Sequence, residues 1–112
     1  MKTVFVTGAN GLLGTNLVLE LLRRNYAVKA LVRDKKRFMD YTHPNLQLVI
    51  GDVRDRGSLE KNMQDCTLVV HTAADTSVKH LKLQDYDAVN MQGTKNVLEI
   101  CQSMHIQKLV YI

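Results

Sequence analysis

The stretch Lys2 to Gly14, KTVFVTGANGLLG, constrains the fold of this chain more than any other. Thr3-Val4-Phe5-Val6 is a short run of β-branched and aromatic residues, the pattern of a buried parallel strand. It ends at Thr7-Gly8, and glycines then recur every third residue, at Gly8, Gly11 and Gly14. Beyond them the apolar period becomes helical, with Leu13, Leu17 and Leu21 on one edge and Gly14, Val18 and Leu22 beside it. A strand, a glycine turn and a helix in succession set free backbone N–H groups and the positive end of a helix dipole against an anion. Gly8 suits a tight turn with positive φ, Gly11 admits a pyrophosphate close to the backbone, and Gly14 lets the first helix approach the sheet. The spacing is G-x-x-G-x-x-G rather than G-x-G-x-x-G. Such turns also occur for packing alone, but the position between a strand and an amphipathic helix favours a phosphate site.

The rest of the chain repeats the alternation. The first helix is expected over Leu12 to Arg24, closed by Asn25. A second strand covers Ala27 to Val32 and ends at Arg33-Asp34. Lys35 to Met39 is a short helix or a loop, and His43-Pro44-Asn45 is a break. Leu46 to Ile50 is a third strand, followed by Gly51-Asp52. Ser58 to Met63 suits a short helix capped by Ser58, and Leu68 to Val70 a fourth strand leading to His71-Thr72-Ala73-Ala74. After the polar segment Asp75 to Lys82, a long helix is expected over Tyr86 to Met104. Its inward stripe would be Val89, Gly93, Val97, Ile100 and Met104, with Gly93 allowing close approach to the sheet. Lys108 to Ile112 is a fifth strand. Strands alternating with helices give right-handed crossovers and an α/β fold with a doubly wound parallel sheet of order 3-2-1-4-5. That order places a ligand at the carboxyl ends of strands one and four.

Composition excludes several function classes. The 112 residues suffice for one domain with a core, and the net charge of +4 comes without a basic block or aromatic interleaving. Nucleic acid is therefore not an expected partner. No apolar stretch is long enough to span a bilayer, and the four-residue apolar run after Met1-Lys2 is too short for a secretory signal. A cytoplasmic protein without a membrane partner is the expectation. Cys66 and Cys101 have neither metal-ligand nor disulfide spacing and sit in apolar surroundings, as inert thiols do. His43, His80 and His105 form no ligand set, so no metal is expected.

The segments brought to the carboxyl edge are Thr7 to Gly14, Arg33-Asp34, Asp52-Val53 and His71 to Ala74. A dinucleotide lying across them would meet Thr7, Gly8, Asn10, Gly11, Leu12, Leu13 and Gly14 first. Arg33, with Lys36 nearby, suits the 2′-phosphate of NADP. Asp34, about 20 residues after Gly14, suits the ribose hydroxyls of NAD instead. The additional cations Lys35, Lys36 and Arg37 favour NADP, with NAD the alternative; a solvated charged loop would leave the choice open. Asp52 is a candidate for a hydrogen bond to the adenine, with Val53 backing the ring, or else a turn cap. His71, Thr72, Ala73 and Ala74 would line the ligand, although a histidine closing a buried strand more often serves a structural hydrogen bond.

These residues reach a family resemblance. Thr7-Gly8-Ala9-Asn10-Gly11-Leu12-Leu13-Gly14, Gly51-Asp52-Val53-Arg54-Asp55, His71-Thr72-Ala73-Ala74 and Val89 to Leu98 follow in the order seen in extended short-chain dehydrogenases/reductases, the NAD(P)-dependent epimerase/dehydratase family. Tyr26 to Asp34 resembles the dihydroflavonol-reductase-like and hydroxysteroid-dehydrogenase-like branches, which implies NADPH more than NADH. The resemblance implies a Rossmann-like NAD(P)-binding domain over residues 1–112, truncated after strand five, with the substrate-binding part absent. It gives Asn90 a supporting role in the active site, and the parent protein hydride transfer on a small-molecule carbonyl or alcohol.

The chain departs from the family in lacking the serine after strand five and the Tyr-x-x-x-Lys pair. Tyr26, Tyr41 and Tyr86 are followed four residues later by Ala30, Asn45 and Asn90, and nothing follows Tyr111 at that distance. The open alternatives are a non-catalytic NADP(H)-binding regulatory module and an inactive truncated product. The unpaired fifth strand leads to an expectation of poor stability for the isolated chain. A homodimer is one open arrangement, since nothing in the residues fixes the oligomeric state.

Overall fold

A computed structural model describes residues 1–72 and 88–112, apart from the side chains of residues 88–90. Among these residues are five parallel strands: β1 (Thr3–Thr7), β2 (Ala27–Val32), β3 (Leu46–Ile50), β4 (Leu68–His71) and β5 (Lys108–Tyr111). The α-helices among the described residues are α1 (Leu12–Arg23), α2 (Arg56–Asn62) and α3 (Thr94–Ser103). A 3₁₀ turn occupies Lys35–Arg37, and a π-helical turn, Ala88–Gly93, leads into α3. The sheet order is β3-β2-β1-β4-β5, the doubly wound order with its reversal between β1 and β4. Val4 pairs with Val28 on one side and Leu68 on the other, fixing the register of the central strand.

Alternation along the strands divides the core between the two faces of the sheet. Val4, Val6, Val28, Ala30, Val32 and Val70 pack with Val18 and Leu22 of α1. Phe5, Leu31, Val49 and Val69 pack on the opposite face with Leu59 of α2 and Val97, Ile100 and Cys101 of α3. Both faces are apolar because both are covered, as parallel sheets require. On α1 the inner row is Gly14, Val18 and Leu22, while Leu13 of the neighbouring row is half exposed.

Polar groups set the helix ends. α1 closes with Asn25 in the left-handed region at φ 67°; the Asn25 N–H bonds the Leu22 carbonyl and the Tyr26 N–H that of Leu21. These two bonds make a Schellman closure. α2 begins two residues before the expected Ser58, because the Asp55 carboxylate accepts the Gly57 and Ser58 N–H groups and is the true cap. Ser58 turns its hydroxyl back to the Asp52 backbone instead. In the expected Tyr86 to Met104 helix, residues 86 and 87 and the Val89 side chain lie outside the description. Of the rest of its expected stripe, Gly93, Val97 and Ile100 are buried, and Met104 is partly buried against the same core. A Cβ on Gly93 would lie 2.6 Å from Cγ2 of Val53. Its close approach is therefore to the turn after β3 and not to a strand.

Candidate functional site

The loop from β1 into α1 has the geometry its glycines demand. Gly8 has φ +64°, a region open to glycine at little cost. An added Cβ there would lie 2.8 Å from the Thr72 carbonyl group. Gly11 N–H donates to the Gly8 carbonyl at 3.1 Å, closing the turn, and the Thr15 hydroxyl ties α1 back to the Ala9 carbonyl at 2.9 Å. Gly14 sits where its own Cβ would lie 2.7 Å from the Gly8 carbonyl carbon. The helix thus rests directly on the turn.

Gly11 is the N-cap residue of α1 and supplies no side-chain acceptor. The first amide of the helix to find a partner is that of Thr15, which bonds the Gly11 carbonyl. The N–H groups of Leu12, Leu13 and Gly14 have no acceptor among the described residues. Leu12 is 86% exposed, so this end of the helix is open. Three unpaired amides at the positive end of a 12-residue helix are an arrangement that could hold an anion.

A cleft of about 290 Å³ opens beside it, lined by Asn10, Arg33, Asp34 and Arg37. Asn10 belongs to the glycine loop and the other three to the segment that follows β2, through the 3₁₀ turn, so the topology joins the two segments. Asp34 caps the 3₁₀ turn by accepting the Lys36 N–H at 3.0 Å. The turn brings Arg37, rather than the expected Lys36, to the cleft beside Arg33.

After β3, Asp52 and Arg54 form a tight ion pair. The Arg54 guanidinium donates to the Asp52 carboxylate at 2.6 to 3.2 Å, and the Arg54 N–H adds a bond at 2.9 Å. The side-chain hydrogen bonds from Arg54 are the main reason the Asp52 carboxyl lies below its ordinary range; the charge of Arg33 adds a smaller lowering. Val53 differs from expectation. Its side chain is 4% exposed and packs into the core under α3, so it cannot back a ring. What Val53 offers is its backbone N–H, which has no acceptor among the described residues.

His71, at the end of β4, is 2% exposed and is used within the fold. Its Nδ1 lies 2.7 Å from the Thr7 hydroxyl and its Nε2 3.0 Å from that of Thr94. Burial pushes its pKa down to about 4, so the ring is neutral, with one nitrogen donating and the other accepting. Both nitrogens are thereby occupied, and His71 supports the site without touching a ligand through its ring. Thr72 joins the same network, its hydroxyl donating to the Thr7 carbonyl at 2.6 Å and its N–H to the Thr7 hydroxyl at 3.0 Å. Ala73 and Ala74 lie outside the described residues, as does the Asn90 side chain; the Asn90 backbone is in the π-helical turn. Among the described residues no group of three metal-ligating side chains occurs, and no helix is long and apolar enough to cross a membrane.

Residues 5–112 match the 3-beta hydroxysteroid dehydrogenase/isomerase family. The chain belongs to that family. It is 37% identical over 107 residues to a putative dihydroflavonol 4-reductase of Synechocystis, covering 96% of this chain and 31% of that protein. It is 34% identical over 112 residues to a 4-hydroxy-2-methyl-3-oxo-4-farnesyl-3,4-dihydroquinoline-1-oxide ketoreductase of Stigmatella aurantiaca, covering 100% of this chain and 33% of that protein. The chain therefore spans about a third of the length of these curated relatives. Among solved structures it is similar to the Bordetella bronchiseptica enzyme WbmH in complex with NAD⁺, with a TM-score of 0.86, 27% identity, and 99% and 38% of the two chains covered. It is also similar to the Thermus thermophilus UDP-glucose 4-epimerase in complex with NAD, with a TM-score of 0.80, 30% identity, and 96% and 36% covered. The fold is the Rossmann-like doubly wound sheet of these dinucleotide complexes.

Proposed function

We propose that this chain binds NADP(H) as the dinucleotide-binding portion of a reductase, dehydratase or epimerase acting on a carbonyl or alcohol. The observation that carries the proposal is the row of unpaired amides at Leu12, Leu13 and Gly14, on the same sheet edge as the Asn10–Arg33–Arg37 cleft. The amides suit a pyrophosphate. Two guanidinium groups in one cleft suit a phosphate monoester on the adenosine ribose, since each can donate a two-pronged hydrogen bond to it. Asp52 and Val53 suit the base. A carboxylate acceptor beside a free N–H donor complements the amino group and ring nitrogen at the adenine edge. The bound nucleotide supplies or receives the hydride, and this chain's residues hold and orient it.

Titration with NADPH and NADH tests the proposal. Arg33→Ala is expected to weaken NADPH binding by about 1–3 kcal/mol while sparing NADH, because only the former carries the phosphate. Equal losses for both nucleotides remove Arg33 from that role. Tighter binding of NADH than of NADPH by the unaltered protein would favour Asp34, which also lines the cleft, as a ribose-hydroxyl acceptor. No saturable binding of either defeats the proposal.

A further inference from the structure

Asn96 is a buried polar residue that belongs to none of the ligand-facing segments. It sits on α3, is 5% exposed, and uses every part of its amide. Its Nδ2 donates to the Val53 carbonyl at 2.9 Å and to the Arg54 carbonyl at 3.3 Å, and its Oδ1 accepts from the Gln92 Nε2 at 3.0 Å. Three residues earlier, where the π-helical turn passes into α3, Gly93 presses on Val53 so closely that a Cβ would lie 3.2 Å from the Cβ of Val53. The turn 53–54 is thus gripped from behind by two neighbouring residues of one helix. In front, that same turn bears the Arg54 side chain that holds the Asp52 carboxylate and the Val53 N–H that lacks an acceptor.

We propose that Asn96 is a positioning residue for base recognition, holding the Val53–Arg54 backbone so that Asp52 and the Val53 N–H stand in register with the adenine edge. This rests on the assignment of Asp52 and Val53 to the base made above. Two carbonyls tied to one side chain fix the two peptide planes that flank Arg54. They fix with them the root of Arg54 and the Arg54 N–H that bonds the Asp52 carboxylate, and they anchor Val53 on the carbonyl side of its own N–H. Losing that tie frees the turn without touching the amides of α1 or the guanidinium groups of the cleft. The consequence is selective: discrimination between bases falls, and phosphate binding does not.

The test compares NADP⁺ with its hypoxanthine analogue on the full protein. Hypoxanthine reverses the edge chemistry, presenting a ring N–H and a carbonyl where adenine presents a ring acceptor and an amino donor. The unaltered protein is expected to prefer NADP⁺ by about tenfold, the equivalent of one or two lost hydrogen bonds. Asn96→Ala is expected to bring that preference close to one while binding inorganic diphosphate as the parent does. A ratio of two affinities is insensitive to a loss of folded fraction, which lowers both alike. An unchanged preference in Asn96→Ala overturns the positioning role. Where that variant does not fold, the unaltered protein carries the test by nuclear magnetic resonance. The Asn96 side-chain amide signal should move on saturation with 2′,5′-ADP and hold still with inorganic diphosphate; no movement with 2′,5′-ADP overturns the proposal. A parent protein that binds neither dinucleotide defeats the dinucleotide assignment itself. One that binds both bases equally defeats the base assignment and the role of Asn96 with it.

Discussion

Gly11 and Gly14 lie three residues apart where the loop enters α1, and alanine at each should damage a different property. At Gly14 a methyl carbon would stand 2.7 Å from the Gly8 carbonyl carbon and 3.0 Å from the Ala9 Cα, with the Gly8 oxygen nearer still. Carbon atoms at rest lie about 3.5–4.0 Å apart, so α1 must retreat by about 1 Å to admit it. Both obstacles are backbone, which no rotamer change can move. Overpacking costs about 1–3 kcal/mol, and a collision with backbone lies toward the upper end, about 2–3 kcal/mol; the better helix propensity of alanine returns about 1 kcal/mol. A net loss of about 1–2 kcal/mol corresponds to a fall of roughly 4–10 °C in melting temperature for a unit of this size. At Gly11 the nearest described atom to a new Cβ is the Gly8 oxygen at 3.4 Å, an ordinary contact, and φ is −78°. Gly11→Ala should therefore cost under about 1 kcal/mol of stability, the difference between glycine and alanine at an N-cap. Its methyl group nevertheless occupies the margin of the open amides, and affinity for NADP⁺ should fall by about tenfold or more, that is by at least about 1.4 kcal/mol. Thermal melting by circular dichroism and nucleotide titration on the same preparations separate the two effects. Gly14→Ala melting with the parent, or Gly11→Ala losing stability but keeping affinity, would refute this account of the loop.

Acid should weaken the fold through His71. Its folded pKa, pushed down to about 4 by burial, lies below the ordinary value of 6.5, so the unfolded chain takes up the proton more readily. Its contribution is whole above pH 6.5 and is lost as pH falls from there to about 4, a total of roughly 3 kcal/mol. Urea midpoints should drop between pH 7.5 and pH 5 in the parent and stay nearly level in His71→Asn; parallel slopes would exclude His71 as the cause. The Asp52 contribution, held by Arg54 below the ordinary carboxyl range, should be lost only at lower pH. Cys66 and Cys101 are 9% and 8% exposed, and burial raises both thiols, Cys101 to about 11. A thiol reagent at pH 7.5 should leave both untouched until denaturant is added, and rapid labelling of the native protein would contradict their burial.

The strand boundaries were legible because the sheet is covered on both faces. Runs such as Ala27–Val32 and Leu46–Ile50 are apolar nearly throughout, and polar residues mark their ends. The glycine loop was legible for a related reason: each glycine answers a steric demand of the backbone, and such demands leave few substitutes. Side-chain roles were less so. Val53 follows Asp52 directly and looks available to a ligand, yet the chain turns there and sends its side chain into the core. Lys36 and Arg37 are adjacent cations, and only the sense of the 3₁₀ turn decides which faces the cleft. The cap of α2 was misplaced because Ser58 stands immediately before the apolar Leu59, whereas Asp55, with Gly57 and Ser58 in its reach, makes the better acceptor. Asn96 lies within the Val89 to Leu98 stretch, but nothing there singled it out from Asn90, since a polar residue on a helix is ordinarily a solvated one.

Where the buried polar groups fall says something that neither the strands nor the glycines do. Among the described residues the fully buried polar side chains are Thr7, His71 and Asn96. A buried polar group costs free energy unless its partners are in place, so a core could do without all three. They are instead gathered at the carboxyl end of the sheet. Thr7 and His71 bridge β1 and β4, where the strand order reverses, and Thr94 carries that bridge to α3. Two residues on, Asn96 extends the same helix to the turn after β3. One helix therefore holds the floor of the glycine loop and the wall at Asp52 in fixed relation. Apolar packing alone would tolerate small slips between these segments. Directional hydrogen bonds do not, and a ligand that spans the sheet edge needs its contact points held at set distances.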